Sequence, residues 1–277
     1  MRRLLLAILL LPFVDLVAAQ DPQPYRSPYR VEFRHPADEL ISDLLRTERG
    51  DRRMEASISH EHWYTRQTEA RFGAWGPEPR HYPLPEGITR WSAERKRERV
   101  VATAMRFLGY GYQHHHIPDW DPPREWPWKT TCVGHNGKGV DCSNFTGFVY
   151  NQGFGAKLNT DVAKQAEERF AEGFDRTRIP VKRIELPSDF AARIKALRTG
   201  DLIFVKNKSG HISHVILWVG AIGKSPDGVP LIMDSHGEDV RDSNNAPIPC
   251  GIHLRPFRET SWYNRSASHA LRLIEGD

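Results

Sequence analysis

The stretch Gly139-Val140-Asp141-Cys142-Ser143-Asn144-Phe145-Thr146-Gly147-Phe148-Val149-Tyr150 joins a reactive side chain to a helical pattern. Phe145, Phe148 and Val149 fall on one face at helical spacing, which predicts a helix from Cys142 to Gln152, closed by Gly153. Cys142 then stands at the helix N-terminus, where the positive end of the macrodipole favours a thiolate. Upstream, Val100, Val101, Ala104, Met105 and Leu108 give a second helix over Glu94–Leu108, ending at Gly109. Asp161–Phe170 and Ser188–Leu197 are further helix candidates.

Downstream the hydrophobic period changes to two. Asp201–Val205, Ser213–Ala221, Leu231–Asp234, Ile252–Pro256 and Ala270–Leu273 read as strands, with a turn at Ser225-Pro226-Asp227-Gly228. Helices first and a run of adjacent strands afterwards predict an α+β domain built on an antiparallel sheet. His214 falls in the second strand and His236 just past the third. A hairpin between those strands can bring both rings to one side of the sheet, near a thiol that needs a base and a group to orient that base.

The flanks of this domain read differently. Met1–Ala19 has basic Arg2 and Arg3, an apolar run from Leu4 to Val14 and a small-residue end at Val17-Ala18-Ala19, the pattern of a cleaved secretory signal. The apolar run is too short to span a bilayer and Asp15 interrupts it. The chain is therefore expected to be exported, periplasmic or secreted, without stable membrane insertion. Residues 20–94 are rich in Arg, Glu and Pro with scattered aromatics (Trp63, Tyr64, Phe72, Trp75), and read as an extension clad on the domain or offered to a protein partner. Within it, Ala37–Arg49 can form a short amphipathic helix, and Gly73–Gly87 is proline-rich and extended.

Composition excludes several classes. The 277 residues are 39% hydrophobic and 27% charged, enough apolar material for one sizeable core. Thirty-nine Lys+Arg against 35 Asp+Glu give a net charge of +4 without a basic run, so nucleic acid is not an expected partner. His114, His115, His116, His135, His211, His214 and His236 raise the question of zinc, but they lack the HExxH or CxxC spacing of a metal site, and no cofactor is expected.

Residues 139–150 resemble the nucleophile motif of the NlpC/P60 cysteine peptidases. Leu197-Arg198-Thr199-Gly200-Asp201-Leu202-Ile203-Phe204 resembles that family's strand entry, and Ile212-Ser213-His214-Val215 its base motif. Leu108-Gly109-Tyr110-Gly111-Tyr112 lies where the family places a tyrosine near the oxyanion site. The resemblance covers residues 95–277 and implies a papain-like α+β fold. By it, Cys142 is the nucleophile, His214 the base and His236 the orienting third residue. Tyr112 and the Cys142 N–H stabilise the oxyanion, and Asp141 and Ser143 contact substrate. The implied reaction is hydrolysis of amide bonds in peptidoglycan stem peptides. Asn144 stands where the family usually has Gly, Thr199 where it has Pro, and Thr160 where an Arg often contacts substrate. Gln113–Lys138, with Trp120, Trp126 and Trp128, is an insertion expected to wall the cleft. With Cys142 required free by the resemblance, Cys132 in the insertion and Cys250 before Ile252 are expected to form a disulfide. Two alternatives stay open: a thiol amidase or acyltransferase of the same scaffold with a non-murein substrate, and a non-catalytic wall- or partner-binding protein.

Overall fold

The structure is a computed structural model that describes residues 25–46, 65–67, 70, 82, 84–112, 140–237 and 240–276. The signal segment, most of the aromatic extension, and the insertion with Cys132 and its His and Trp residues lie outside the described residues.

In chain order the elements are β1 (Arg30–Val31), α1 (Ala37–Leu40), α2 (Ser42–Arg46), α3 (Ala93–Met105), α4 (Cys142–Phe154), β2 (Ala156–Lys157), α5 (Val162–Ala166), β3 (Phe170–Gly173), β4 (Arg178–Pro180), β5 (Lys182–Glu185), α6 (Phe190–Ala196), β6 (Leu202–Lys206), β7 (Ile212–Trp218), β8 (Gly223–Lys224), β9 (Leu231–His236), β10 (Gly251–Pro256), α7 (Trp262–Arg265) and β11 (Ala267–Arg272). Six strands form an antiparallel sheet in the order β10-β9-β7-β6-β11-β5. Alternation along β6, β7 and β9 splits the core. Leu202, Phe204, Val215, Leu217 and Met233 pack with Val101, Phe107, Phe145 and Val149 of the helical side. Ile203, Val205, Ile216, Trp218 and Ile232 pack with Phe257 and Tyr263 on the other. Phe107 holds α3 to α4, its ring 5.9 Å from Phe145 and 6.1 Å from Phe148.

The five expected strands are present, with the start of β9 and the end of β10 where expected and the other ends moved by one to three residues. The α4 helix runs two residues past the expected stop. Gly153 is helical, and a Cβ there would sit 3.3 Å from Thr103 Oγ1, so its bare backbone eases the approach of α3. Gly155 is the C-cap, left-handed at φ 60°. The expected Asp161–Phe170 helix shrinks to α5. Asp161 caps it at the amides of Ala163 and Lys164, but from Phe170 the chain pairs as β3 with β2 and β4. The run Glu167-Glu168-Arg169 has good helix propensity, overridden here by strand pairing.

The extension is fastened to the outer side of α3 through charges. Glu98, 2% exposed, accepts bonds from the backbone N–H of Arg34 (2.9 Å) and of His35 (3.1 Å) and faces His35 Nδ1 at 2.8 Å. Arg99, 1% exposed, donates to Leu40 O, to both Asp43 oxygens at 2.7 and 2.9 Å, and through Nε to Gly153 O at 2.8 Å. Leu40, Ile41, Leu44 and Ala102 close a small apolar cluster around them, and β1 pairs with β8. The expected single helix at Ala37–Arg49 is two short ones broken at Ile41. No described helix is long and apolar enough to cross a membrane.

Glu168, just after α5, has a measurable signature. Its Oε1 accepts from Asn159 N–H at 2.9 Å, while Oε2 is buried without a partner. Burial pushes its carboxyl up to about 7, against the smaller lowering by the Asn159 bond. The folded state keeps this proton after the unfolded state has lost it, so stability falls as pH rises from about 4.5 to about 7 and is flat above. Glu168→Gln is expected to remove that decline and gain about 2 kcal/mol at neutral pH in urea unfolding. A variant with the same slope as the unmodified chain would refute this origin.

Candidate active site

Asp141 fixes the start of α4. Its Oδ1 accepts from Asn144 N–H at 2.9 Å and from Asn144 Nδ2 at 2.8 Å, so the Asn at the usual glycine position strengthens the N-cap. Ser143 donates to Thr160 O at 2.6 Å, and Thr146 and Gln165 tie α4 to α5 through a 3.1 Å bond. Thr199 replaces the constraint of proline with a bond from Oγ1 to Val219 O at 2.9 Å. Asp141 and Ser143, expected to meet substrate, are thus both engaged in holding the helix start.

Cys142 is buried, one residue into α4. It lies close enough to His214, the third residue of β7, for its charge to act on the imidazole. His214 Nε2 lies 2.7 Å from Asp234 Oδ2 on β9, which leaves Nδ1 for the thiol. His236, expected to orient His214, is not the residue at its Nε2; Asp234 is. Asp234 and His236, two apart on one strand, project to the same side. The carboxylate takes the ring nitrogen, whereas the His236 ring stands edge-on to His214 at 5.3 Å and 78° and turns its Nδ1 to Gly237 O at 3.2 Å. A charged residue ending the apolar run Leu231-Ile232-Met233 was the sequence signal for Asp234.

Electrostatics follow from burial. Burial alone disfavours the His214 imidazolium, but the Cys142 charge and the bond to Asp234 outweigh it and raise His214 well above the ordinary imidazole value. For Asp234 burial favours the neutral acid, and the Arg255 guanidinium with His214 reverses this, holding the carboxyl far below its usual range. His236 is pushed down, mainly by burial. Tyr112, 40% exposed, is pushed up to about 12 by burial and the nearby Cys142, Asp141 and Cys250 charges, so it remains an O–H donor at neutral pH. Its position depends on Gly251, which has φ 114° and would place a Cβ 2.3 Å from Tyr110 O. Ile252 and Gly109–Tyr110 exchange backbone bonds across this approach at 2.8 and 2.9 Å.

Cys250 is a free thiol in the structure, and its expected partner Cys132 lies outside the described residues. Among the described residues no three His, Cys, Asp or Glu side chains gather as a metal site. A cavity of about 440 Å³ opens beside the thiol site, lined by His236, Arg241, Arg258, Trp262 and Tyr263 among others. A larger one, about 1120 Å³, lies between the extension and β8, distant from the chemistry and lined by neither cysteine nor histidine.

A thiol at a helix start facing a strand histidine, with the helix packed on an antiparallel sheet, defines the papain-like α+β class. Residues 131–241 match the model of the NlpC/P60 family. Similar solved structures include an NlpC/P60 family protein from Bacillus cereus ATCC 10987 (20% identity over 70% of this chain and 42% of that one, TM-score 0.34). Two more are NlpC1 from Trichomonas vaginalis (14%, 65% and 45%, 0.36) and the NlpC/p60 domain of the peptidoglycan hydrolase SagA (18%, 62% and 95%, 0.32). This chain spans less than half the length of the first two. No curated protein matches it.

Proposed function

We propose that the protein is an exported cysteine hydrolase that cleaves amide bonds in peptidoglycan stem peptides, with Cys142 as nucleophile, His214 as acid and base, and Asp234 as the group that orients His214. The observation that carries this reading is the 2.7 Å bond from His214 to the buried Asp234 carboxylate, with the Cys142 thiol at the start of α4 beside the same imidazole. The NlpC/P60 match over residues 131–241 supports the substrate class.

In the first step the Cys142 sulfur bonds to the amide carbonyl carbon. The oxyanion is met by the Tyr112 O–H and the Cys142 N–H, one of the first-turn amides that no helical carbonyl can satisfy. The C–N bond breaks as the His214 proton passes to the departing amine, leaving a thioester. Water then gives a proton to His214 and its oxygen to the thioester carbon; the C–S bond breaks and the acid product leaves. The raised His214 supplies the protonated imidazole that the first departure needs at neutral pH.

Purified peptidoglycan digested with the chain, beside its Cys142→Ala variant, tests this reading by mass spectrometry. New amine and carboxyl termini are expected with the unmodified chain and absent with the variant. Identical products from both would refute it.

A further inference from the structure

The carboxylate behind His214 is itself held by side chains that the reaction does not touch. Asp234 Oδ1 accepts from Arg255 Nε at 2.8 Å, and Oδ2 accepts from Tyr263 O–H at 2.9 Å as well as facing His214. Arg255 lies on β10, where its strand partner is Ile232, so it reaches Asp234 diagonally across the β9–β10 ladder. Its side chain is completely buried, as is that of Asp234. Its Nη2 also donates to Gly251 O at 3.0 Å and to Pro249 O at 3.1 Å, binding the same guanidinium to the segment that enters β10 beside Tyr110.

We infer that Arg255 is a positioning residue of the thiol site: it keeps Asp234 ionised and aimed through Oδ2 at His214, and so leaves His214 Nδ1 free to take the proton of Cys142. A buried carboxyl without a cation beside it favours the neutral acid. A neutral Asp234 would donate its O–H to Nε2, force the ring proton onto Nδ1, and remove the acceptor that the thiol needs. An ionised Asp234 accepts from Nε2–H and imposes the useful tautomer. The groups around Asp234 are His214 on β7, His236 on its own strand, Arg255 and His253 on β10, Tyr263 on α7 and, beyond His214, Cys142 on α4. Of these Arg255 alone carries a permanent positive charge. His253 supplies no charge beside it in the folded chain, since burial first and the Arg255 charge second hold its imidazole down at about 3. Tyr263 adds a hydrogen bond but no charge.

The consequence rests on the thiol reading above, but its test needs no substrate, so failure of the hydrolase reading and failure of this one are distinguishable. In the full chain, the alkylation rate of Cys142 by iodoacetamide is followed against pH, with the labelled peptide identified by mass. Arg255→Met is expected to move the thiolate limb to higher pH and to slow labelling roughly ten-fold under mildly acidic conditions. Arg255→Lys, which keeps the charge, is expected to restore most of the rate. In an Asp234→Asn background, adding Arg255→Met is expected to leave the profile where Asp234→Asn alone puts it. A folded Arg255→Met chain with an unshifted profile, or an equal further shift in the Asp234→Asn background, would overturn the proposal. Should Arg255→Met fail to fold, the carbon-13 carboxyl signal of Asp234 in the unmodified chain decides: it should remain ionised through the acid range, and titration at or above the ordinary carboxyl value would overturn it.

Discussion

Asp234→Asn is expected to lower kcat/KM on a soluble stem peptide by about 10³- to 10⁴-fold, whereas His236→Ala should cost about ten-fold or less. The asymmetry comes from the bond at His214 Nε2, which is made by Asp234 at 2.7 Å and not by His236. An asparagine can present its amide to that nitrogen and trap the wrong ring tautomer. A loss of this size corresponds to about 4–5 kcal/mol of transition-state stabilisation. His236 packs against His214, Trp262 and Tyr263 and lines the neighbouring cavity, so its removal loosens the wall without changing the tautomer. Thermal melting of both variants separates chemistry from folding, because Asp234→Asn also leaves Arg255 without its counter-charge. Equal losses for the two variants, or a larger one for His236→Ala, would restore His236 to the orienting role.

A chain beginning at Ser92 is expected not to fold cooperatively. Removal of the preceding residues strips the Arg34 and His35 partners from Glu98 and the Leu40 and Asp43 partners from Arg99, and both remaining charges are buried. Each of these pairs has one partly exposed member, and the cut lets water reach the charge left behind, so each costs less than the about 3–5 kcal/mol of a fully buried pair. It also uncovers Ala102 by deleting Leu40, Ile41 and Leu44. Overall domain stability is typically about 5–15 kcal/mol, so the loss is a large share of it. Arg99→Ala should reproduce about half of the effect in urea unfolding. A Ser92 chain that melts near the temperature of the full chain would mean that the extension is a removable cover.

The central strands and the thiol helix were legible because their patterns are strong: strand-length apolar segments bounded by turn residues in β6, β7 and β9, and Phe145, Phe148 and Val149 at helical spacing behind a capping Asp141 in α4. The short strands β3, β4 and β5 escaped, since their alternation is brief and mostly polar. Gly153 and Gly155 both read as a helix stop, and only the approach of Thr103 distinguishes them. Cys142 and His214 were readable from motif and context. Asp234 and His236 were not separable, because residues two apart on a strand face the same way and the choice is made by side-chain reach. The role of Arg255 required the β9–β10 register, which pairs Asp234 with His253 and sets Arg255 diagonally along the ladder.

A covalent bond at Cys142 is the most direct mark of the thioester route. Quenching the peptidoglycan digest in acid during turnover and weighing the Cys142 peptide reads that bond. An added acyl mass is expected on Cys142, equal to the carboxyl-side product less water, and none on the corresponding peptide of Cys142→Ala. Turnover with no adduct at Cys142, and with the Ala variant equally active, would contradict it.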